Sequence, residues 1–304
     1  MKWSIVLPGL LAVAGGAYAQ DANEEAARRQ AEQLVASLHW KEGQIAVSSA
    51  DAHFRLGSQF RYLEASDAQK VLEDLWGNPP DDTVLGMVVP KAHGLMDDNS
   101  WAVVVTYSGD GYVSDEDASK IDYDELLEQM QEETKDENEA RKDAGYESIA
   151  LRGWAEPPRY DASNKKLYWA KELKFGSDDD TTLNYDIRVL GRRGYLSLNA
   201  VAGMNALPEV RGSMQQMLPM VEFDPGARYA DYNGSTDKVA AYGIAALVGG
   251  GIAAKAGFFG KLGVLLLGLK KLLIPIGLAL AAFGKKIVGF FTGDKGGSGG
   301  GTVR

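Results

Sequence analysis

Leu183-Asn184-Tyr185-Asp186-Ile187-Arg188-Val189-Leu190 alternates with a period of two: Leu183, Tyr185, Ile187 and Val189 fall on one side, Asn184, Asp186 and Arg188 on the other. Successive side chains of an extended chain point to opposite faces, so the stretch predicts a strand with one packed face. Its neighbours read the same way. Ser148 to Trp154, Lys165 to Phe175 and Tyr195 to Val201 are strand-like, with Gly176-Ser177-Asp178 and Gly191-Arg192-Arg193-Gly194 as turns between them. Consecutive strands joined by tight turns pair antiparallel.

Working outward, Asn205 to Met217 places Leu207, Val210, Met214 and Met217 on one helical face, followed by a short element at Val221 to Phe223. On the other side, Val84 to Val89 and Trp101 to Thr106 are apolar on both alternating faces, as in strands covered on both sides. Asp122-Tyr123-Asp124-Glu125 has capping-box spacing and opens a helix reaching about Ala144. Ser66-Asp67-Ala68-Gln69 has that spacing too, before a helix with Val71, Leu72, Leu75 and Trp76 on one face and Gly77 at its C-terminal stop. Asp21 to Leu38 is a further amphipathic helix, Gln44 to Val47 a short strand, and the chain from there through His53 reads as polar loop. The fold class expected is α+β: one mainly antiparallel sheet covered by helices, in a single domain spanning residues 20–238.

The termini are read as address and anchor. Lys2, the apolar Ile5 to Ala14 and Ala17-Tyr18-Ala19 have the form of a cleaved signal peptide over residues 1–19. Val239 to Phe291 is rich in Gly, Ala, Leu, Ile and Phe, and its first part, Val239 to Phe259, holds a single charged residue, Lys255. A membrane span needs about 20 apolar residues, so a C-terminal membrane helix is expected there. Leu262 to Phe291, interrupted by Lys270-Lys271, would lie at the interface, and residues 292–304 form a disordered glycine-rich end. The net charge of −10 supports this division: residues 1–19 contribute +1 and the tail from Val239 contributes +7, which leaves −18 on the body. An acidic body outside and a lysine-rich tail inside fit the positive-inside rule, giving a bacterial inner-membrane protein with its body in the periplasm and its C-terminus in the cytoplasm. The lipid bilayer is then one partner. Nucleic acid is excluded, because its binders present basic faces. Ala245, Gly249, Ala253 and Gly257 recur every fourth residue, a small-residue stripe that would let a second copy approach and form a homo-oligomer.

The segments Gly153-Trp154-Ala155-Glu156-Pro157-Pro158, Leu167-Tyr168-Trp169-Ala170-Lys171-Glu172-Leu173, Leu183 to Arg192, and Phe223 through Asp231-Tyr232-Asn233 into the glycine-rich tail resemble a bacterial family of membrane-anchored proteins, domain of unknown function 2167. The resemblance implies an envelope location, a leader and an anchor, and supplies no catalytic residues. The order of elements is also similar to the PsbP-like α/β/α sandwich, an analogy of fold alone.

No stretch carries a motif for chemistry. The chain has no cysteine, and His39, His53 and His93 are scattered without metal-ligand spacing, so no metal site and no cofactor is expected. Gly296-Gly297-Ser298-Gly299-Gly300 matches a nucleophile string but has no strand before it or helix after it. The loop acids Asp110 to Asp117 and Asp178-Asp179-Asp180 lack the spacing of the common calcium loop. Glu156 and Glu172, close in sequence to Trp154 and Trp169, form the mixture of acids and aromatics found at carbohydrate sites; an envelope hydrolase working on glycan or peptide through carboxylates is the alternative they represent. Binding is the leading expectation, with no catalytic residue assigned. Gln131 to Asp143 is nearly all charge and has no apolar stripe, so it should project into solvent, where Glu132, Glu133, Asp136 and Glu137 would attract a basic protein.

Overall fold

The computed structural model describes residues 16–249, except 79, 98, 144–146 and 177–180. Residues 1–15 of the leader expected over 1–19, and the tail beyond Gly249, lie outside the described residues, whereas Gly16 to Ala19 open the helix α1. The elements run α1 (Gly16–Ala36), β1 (Gln44–Val47), β2 (Ala52–Arg55), β3 (Phe60–Glu64), α2 (Ala65–Lys70), β4 (Val84–Pro90), β5 (Val103–Ser108), α3 (Tyr123–Asp143), β6 (Ile149–Asp161), β7 (Lys166–Phe175), β8 (Thr181–Leu190), β9 (Tyr195–Gly203), α4 (Leu207–Met217), β10 (Val221–Phe223) and α5 (Ile244–Gly249). Seven strands form one sheet in the order β3-β4-β5-β9-β8-β7-β6, and β1-β2-β10 form a second. Every pairing between these strands is antiparallel.

The alternation of β8 is reproduced. Leu183, Tyr185, Ile187 and Val189 all lie in the largest core, with Leu196, Leu198 and Ala200 of β9 and Val210, Met214 and Met217 of α4. That core is closed by Ile45 and Val47 of β1, Phe54 of β2 and Val221 of β10, so the small sheet and α4 together cover this face. The expected antiparallel sheet covered by helices is present, and on this face a small second sheet adds to the helical cover. Its strand β2 and the following β3 were not expected, because each is only four or five residues long and the arginine in each, Arg55 exposed and Arg61 half-buried, interrupts the apolar pattern.

Among the described residues, helices cover the opposite face at its two ends. Near β3 and β4, a core of Leu63, Val84, Met87 and Val89 meets Leu38, Ala68 and Val71. Near β6 and β7, Leu151, Leu167 and Trp169 meet Leu126 and Met130 of α3 and Ile244, Leu247 and Val248 of α5. At this second end the packing continues past Lys238, where a boundary was expected. Val239 to Gly249, expected to begin a membrane span, is a strap followed by helical residues Ile244–Gly249 packed into the protein, and the rest of the expected span lies outside the described residues. Tyr112 bridges Val239, Ala240 N–H donates to Tyr112 O at 2.8 Å, and Ile244 N–H donates to Asp117 at 3.2 Å. Among the described residues no helix is long and apolar enough to cross a membrane.

The helix termini show how local chemistry was read and misread. Asp122 Oδ1 accepts from the N–H groups of Asp124 and Glu125 at 3.0 and 3.1 Å, capping α3 as expected. At α2 the cap moves. The helix starts two residues earlier than the Ser66 box predicts, without a side-chain cap, and its second half, Val71–Leu75, widens into a π turn in which Trp76 N–H reaches Val71 O. Gly77 ends it with φ of +69°, as expected of a C-terminal glycine.

Candidate functional site

The acidic half of α3 is held in place. Gln131 Nε2 donates to Leu151 O at 3.1 Å and to Arg152 O at 3.3 Å; Asn138 Nδ2 donates to Ile149 O, and Ile149 N–H to Asn138 Oδ1, both at 2.7 Å. Arg141 Nε donates to Glu147 O at 2.9 Å. β6 is the edge strand of the large sheet, whose main-chain groups need partners, and a polar stripe on α3 supplies them. The expectation of a half-helix standing free in solvent is corrected: amide side chains replace the missing apolar stripe. Glu132, Asp136 and Glu137 remain exposed on the outer side and Glu133 is half-buried.

The acids and aromatics of the alternative site are separated by the sheet. Glu156 and Glu172 pair with Ala170 and Gly153 respectively and share the face of the largest core, whereas Trp154 and Trp169 belong to the core on the other face. Trp169 is fully buried, and Trp154 Nε1 donates to Tyr123 O at 3.2 Å. Glu156 is buried too, and its Oε2 accepts from Tyr185 Oη at 3.0 Å and Arg211 Nε at 3.1 Å. Burial, then the Glu156 charge, pushes the Tyr185 hydroxyl far above its ordinary value. The group ties α4 to the sheet. No sugar-stacking surface is assembled from these four residues.

Between the two helical ends, none of the described helices joins a core over the middle of the large sheet, where Val201 of β9 is exposed. Its floor is the polar side of β8 with its neighbours. Asp186, 3% exposed, accepts from Arg188 Nη1 and Asn199 Nδ2 at 2.9 Å each, and Lys171 Nζ stands 3.9 Å away. The Arg188 guanidinium lies 5.1 Å from the Trp169 ring centre. The carboxylate is thus matched by two cations, and the floor is polar without being acidic.

The three histidines each face a carboxylate: His39 Nδ1 with Asp67 at 3.0 Å, His53 Nδ1 with Asp224 at 2.6 Å, and His93 Nε2 with Glu209 at 2.8 Å. They are far apart, and among the described residues no three metal-ligating side chains converge. The acids of the 110–117 loop have another task. Asp110 accepts from Tyr242, Asp117 from Ile244 N–H, and Asp115 from Tyr160 at 2.6 Å, Lys165 at 2.7 Å and Tyr229 at 3.0 Å. Burial alone would raise the Asp115 carboxyl, but these donors outweigh it and hold it below its ordinary value. The loop therefore fastens the C-terminal strap. Residues 177–180 lie outside the described residues.

A cavity of about 310 Å³ opens where the β6–β7 turn meets the segment after β10, lined by Ser163, Lys165, Lys166, Glu222, Arg228 and Tyr229 among others. Nothing in the sequence marked it, since its walls come from positions some sixty residues apart. Of the small-residue stripe, Gly249 is buried against Leu126 of α3. Ala245 is half-buried, and Ala253 and Gly257 lie outside the described residues.

Fold and site together define an antiparallel α+β domain whose sheet carries a helix-and-sheet layer on one face and two separated helical caps on the other. Residues 39–281 match a family described as protein of unknown function (DUF2167), and the chain belongs to that family. No curated protein matches it in sequence. Among solved structures it is similar to cyanobacterial PsbP from Synechocystis sp. PCC 6803, at 10% identity over 62% of this chain and 92% of that one, with a TM-score of 0.33. The Ran-binding protein Mog1p of Saccharomyces cerevisiae is similar at 10% identity, 62% and 96% coverage and a TM-score of 0.34. LpqN, involved in cell envelope biogenesis of Mycobacterium tuberculosis, is similar at 12% identity, 63% and 95% coverage and a TM-score of 0.31.

Proposed function

We propose that this chain is a membrane-anchored envelope protein whose domain lies in the periplasm and binds a basic protein partner through the exposed acids of α3, without catalysing a reaction. The observation that carries the reading is the fixing of α3 by Gln131 and Asn138 to the main chain of β6. Acids on a helix already held in place lose little conformational freedom on binding, so their field is available for steering and selecting a basic surface. The apolar and lysine-rich chain beyond Gly249 supports anchoring, with the crossing segment placed after the packed strap instead of at Val239.

Charge reversal tests the binding surface. Glu132→Lys, Asp136→Lys and Glu137→Lys together should abolish a salt-sensitive crosslink to the partner while the melting temperature stays unchanged. Reversal of the exposed acids Asp74 and Asp82 should leave the crosslink in place. Retention of the crosslink in the α3 variant would remove the assignment. A hydrolytic activity lost in Glu156→Gln or Glu172→Gln, with the crosslink intact, would replace it with the hydrolase. For topology, a cysteine introduced at Gly300 should resist an impermeant reagent in intact spheroplasts; its labelling would show that the tail returns outward as a hairpin.

A further inference from the structure

The cavity beside Lys166 holds a cation that the fold leaves without a carboxylate. Lys166 is 7% exposed, and its Nζ donates to Leu218 O, at the end of α4, and to Val221 O at 3.0 Å. Two main-chain carbonyls occupy two of the three ammonium donors and contribute only partial charge. Glu222 and Asp161 act on the amine from beyond ion-pair distance, and burial lowers its pKa. Arg228 stands on the same wall, where its Nε donates to Phe223 O at 3.3 Å, and no carboxylate pairs with its guanidinium among the described residues. The other two charges are already engaged: Lys165 with Asp115 at 2.7 Å, and Glu222, which is exposed, with Arg55 at 4.0 Å.

A buried cation is stable when an anion or a full set of acceptors matches it. Here the matching groups are incomplete, and the deficit faces an open space. The body carries −18, and at this wall Lys166 and Arg228 stand beside one lining carboxylate, Glu222, while Asp231 accepts from the Arg228 main-chain N–H at 3.0 Å and leaves the guanidinium itself without an acid among the described residues. The volume lies at the lower end of the range of small-molecule sites, roughly 300–1,000 Å³, larger than a bare ion requires.

We propose that the cavity between the β6–β7 turn and the segment after β10 binds a small organic phosphate, with Lys166 and Arg228 contacting the phosphate oxygens and Ser163 and Tyr229 shaping the rest of the site. Arg228 offers a planar fork of donors and Lys166 a point charge, a combination suited to a tetrahedral oxyanion. The site is separate from the acidic face of α3, so its fate does not depend on that reading. The phosphate can belong to a soluble ester or to a lipid headgroup, and the probes separate the two.

The full chain in neutral detergent is titrated calorimetrically with sn-glycerol 3-phosphate, inorganic phosphate and dihexanoyl phosphatidylglycerol, with dihexanoyl phosphatidylcholine as the zwitterionic control. Saturable binding of the soluble phosphates, weakened roughly tenfold or more in Arg228→Ala and Lys166→Met, assigns the site to a soluble ester. Binding confined to the phosphatidylglycerol, with the same loss in the variants, assigns it to a headgroup. Arg228 is exposed, so its alanine variant keeps the test valid if Lys166→Met does not fold. Absence of binding by every anionic probe, or binding equal in wild type and Arg228→Ala, overturns the proposal.

Discussion

Single residues in this molecule act through contacts that no local spacing announces. Asp67 was read as part of a capping box, yet it is 5% exposed and accepts from His39 N–H at 2.8 Å, His39 Nδ1 at 3.0 Å and Lys70 Nζ at 2.7 Å, joining α2 to the end of α1. Burial works against the charged form, but these donors outweigh it and bring the carboxyl down to about 2. A carboxyl depressed in the folded state stabilises fully above its unfolded value, ~3.9, and that contribution is lost as pH falls through the folded value. Denaturant melts of the wild type should therefore weaken between pH ~4 and ~2, and Asp67→Ala should lose about 2–4 kcal/mol at neutral pH with a shallower acid limb. Gly86 makes a second case. A Cβ there would lie 2.0 Å from Tyr62 Oη, which donates to Leu85 O, and β4 bulges between Val84 and Gly86. Gly86→Ala should cost about 1–3 kcal/mol in the same melts, although the sequence shows only a small residue in an apolar run.

At the scale of elements, what could be read depended on how far periodicity extends. β8 and β9 are ten and nine residues long and were read as strands, and the packed face of β8 was assigned correctly from its period of two alone. β3 has five residues, Phe60-Arg61-Tyr62-Leu63-Glu64, too few for alternation to stand out, and its Arg61 is accommodated over the Trp40 ring at 3.5 Å. The candidate sites were less legible still, because their partners are far apart in the chain: Glu156 meets Arg211, His53 meets Asp224, and Lys166 meets Val221. α3 shows the limit of pattern reading most clearly. Hydrophobic periodicity finds nothing to bury in its second half, whereas Gln131 and Asn138 bind the edge of β6 with amide groups. Asn138→Ala should release this contact, and hydrogen exchange should report faster loss of protection at Ile149, while Glu139→Ala, on the exposed side, should leave it unchanged.

For the whole molecule, the decisive relation is between the body and the chain that leaves it. Composition places a boundary at Lys238, where charge gives way to glycine and alanine, because transfer out of water favours the same residues whether they enter a bilayer or a protein core. The structure distinguishes the two: Ala240, Ile244, Leu247 and Val248 are buried with Leu126, Leu167 and Trp169, and the acids Asp110 and Asp117 fasten the strap from outside. Arg192 adds a two-pronged pair with Asp237, at 2.6 and 2.9 Å, and donates its N–H to Ala227 O at 2.8 Å. The tail is thus joined to the body through α3 and β6, the elements that also present the acidic face. Burying an Ile, Leu or Val side chain contributes about 1.5–3 kcal/mol each, and a domain's net stability is about 5–15 kcal/mol, so loss of the strap would remove a large share of the whole. A chain ending at Lys238 should accordingly be insoluble or lack a cooperative melt. One ending just past Gly249 should fold and melt cooperatively, as measured by circular dichroism on chains lacking the leader. Equal melting of the two chains would show that α5 merely lies on the surface, and the boundary would return to Lys238.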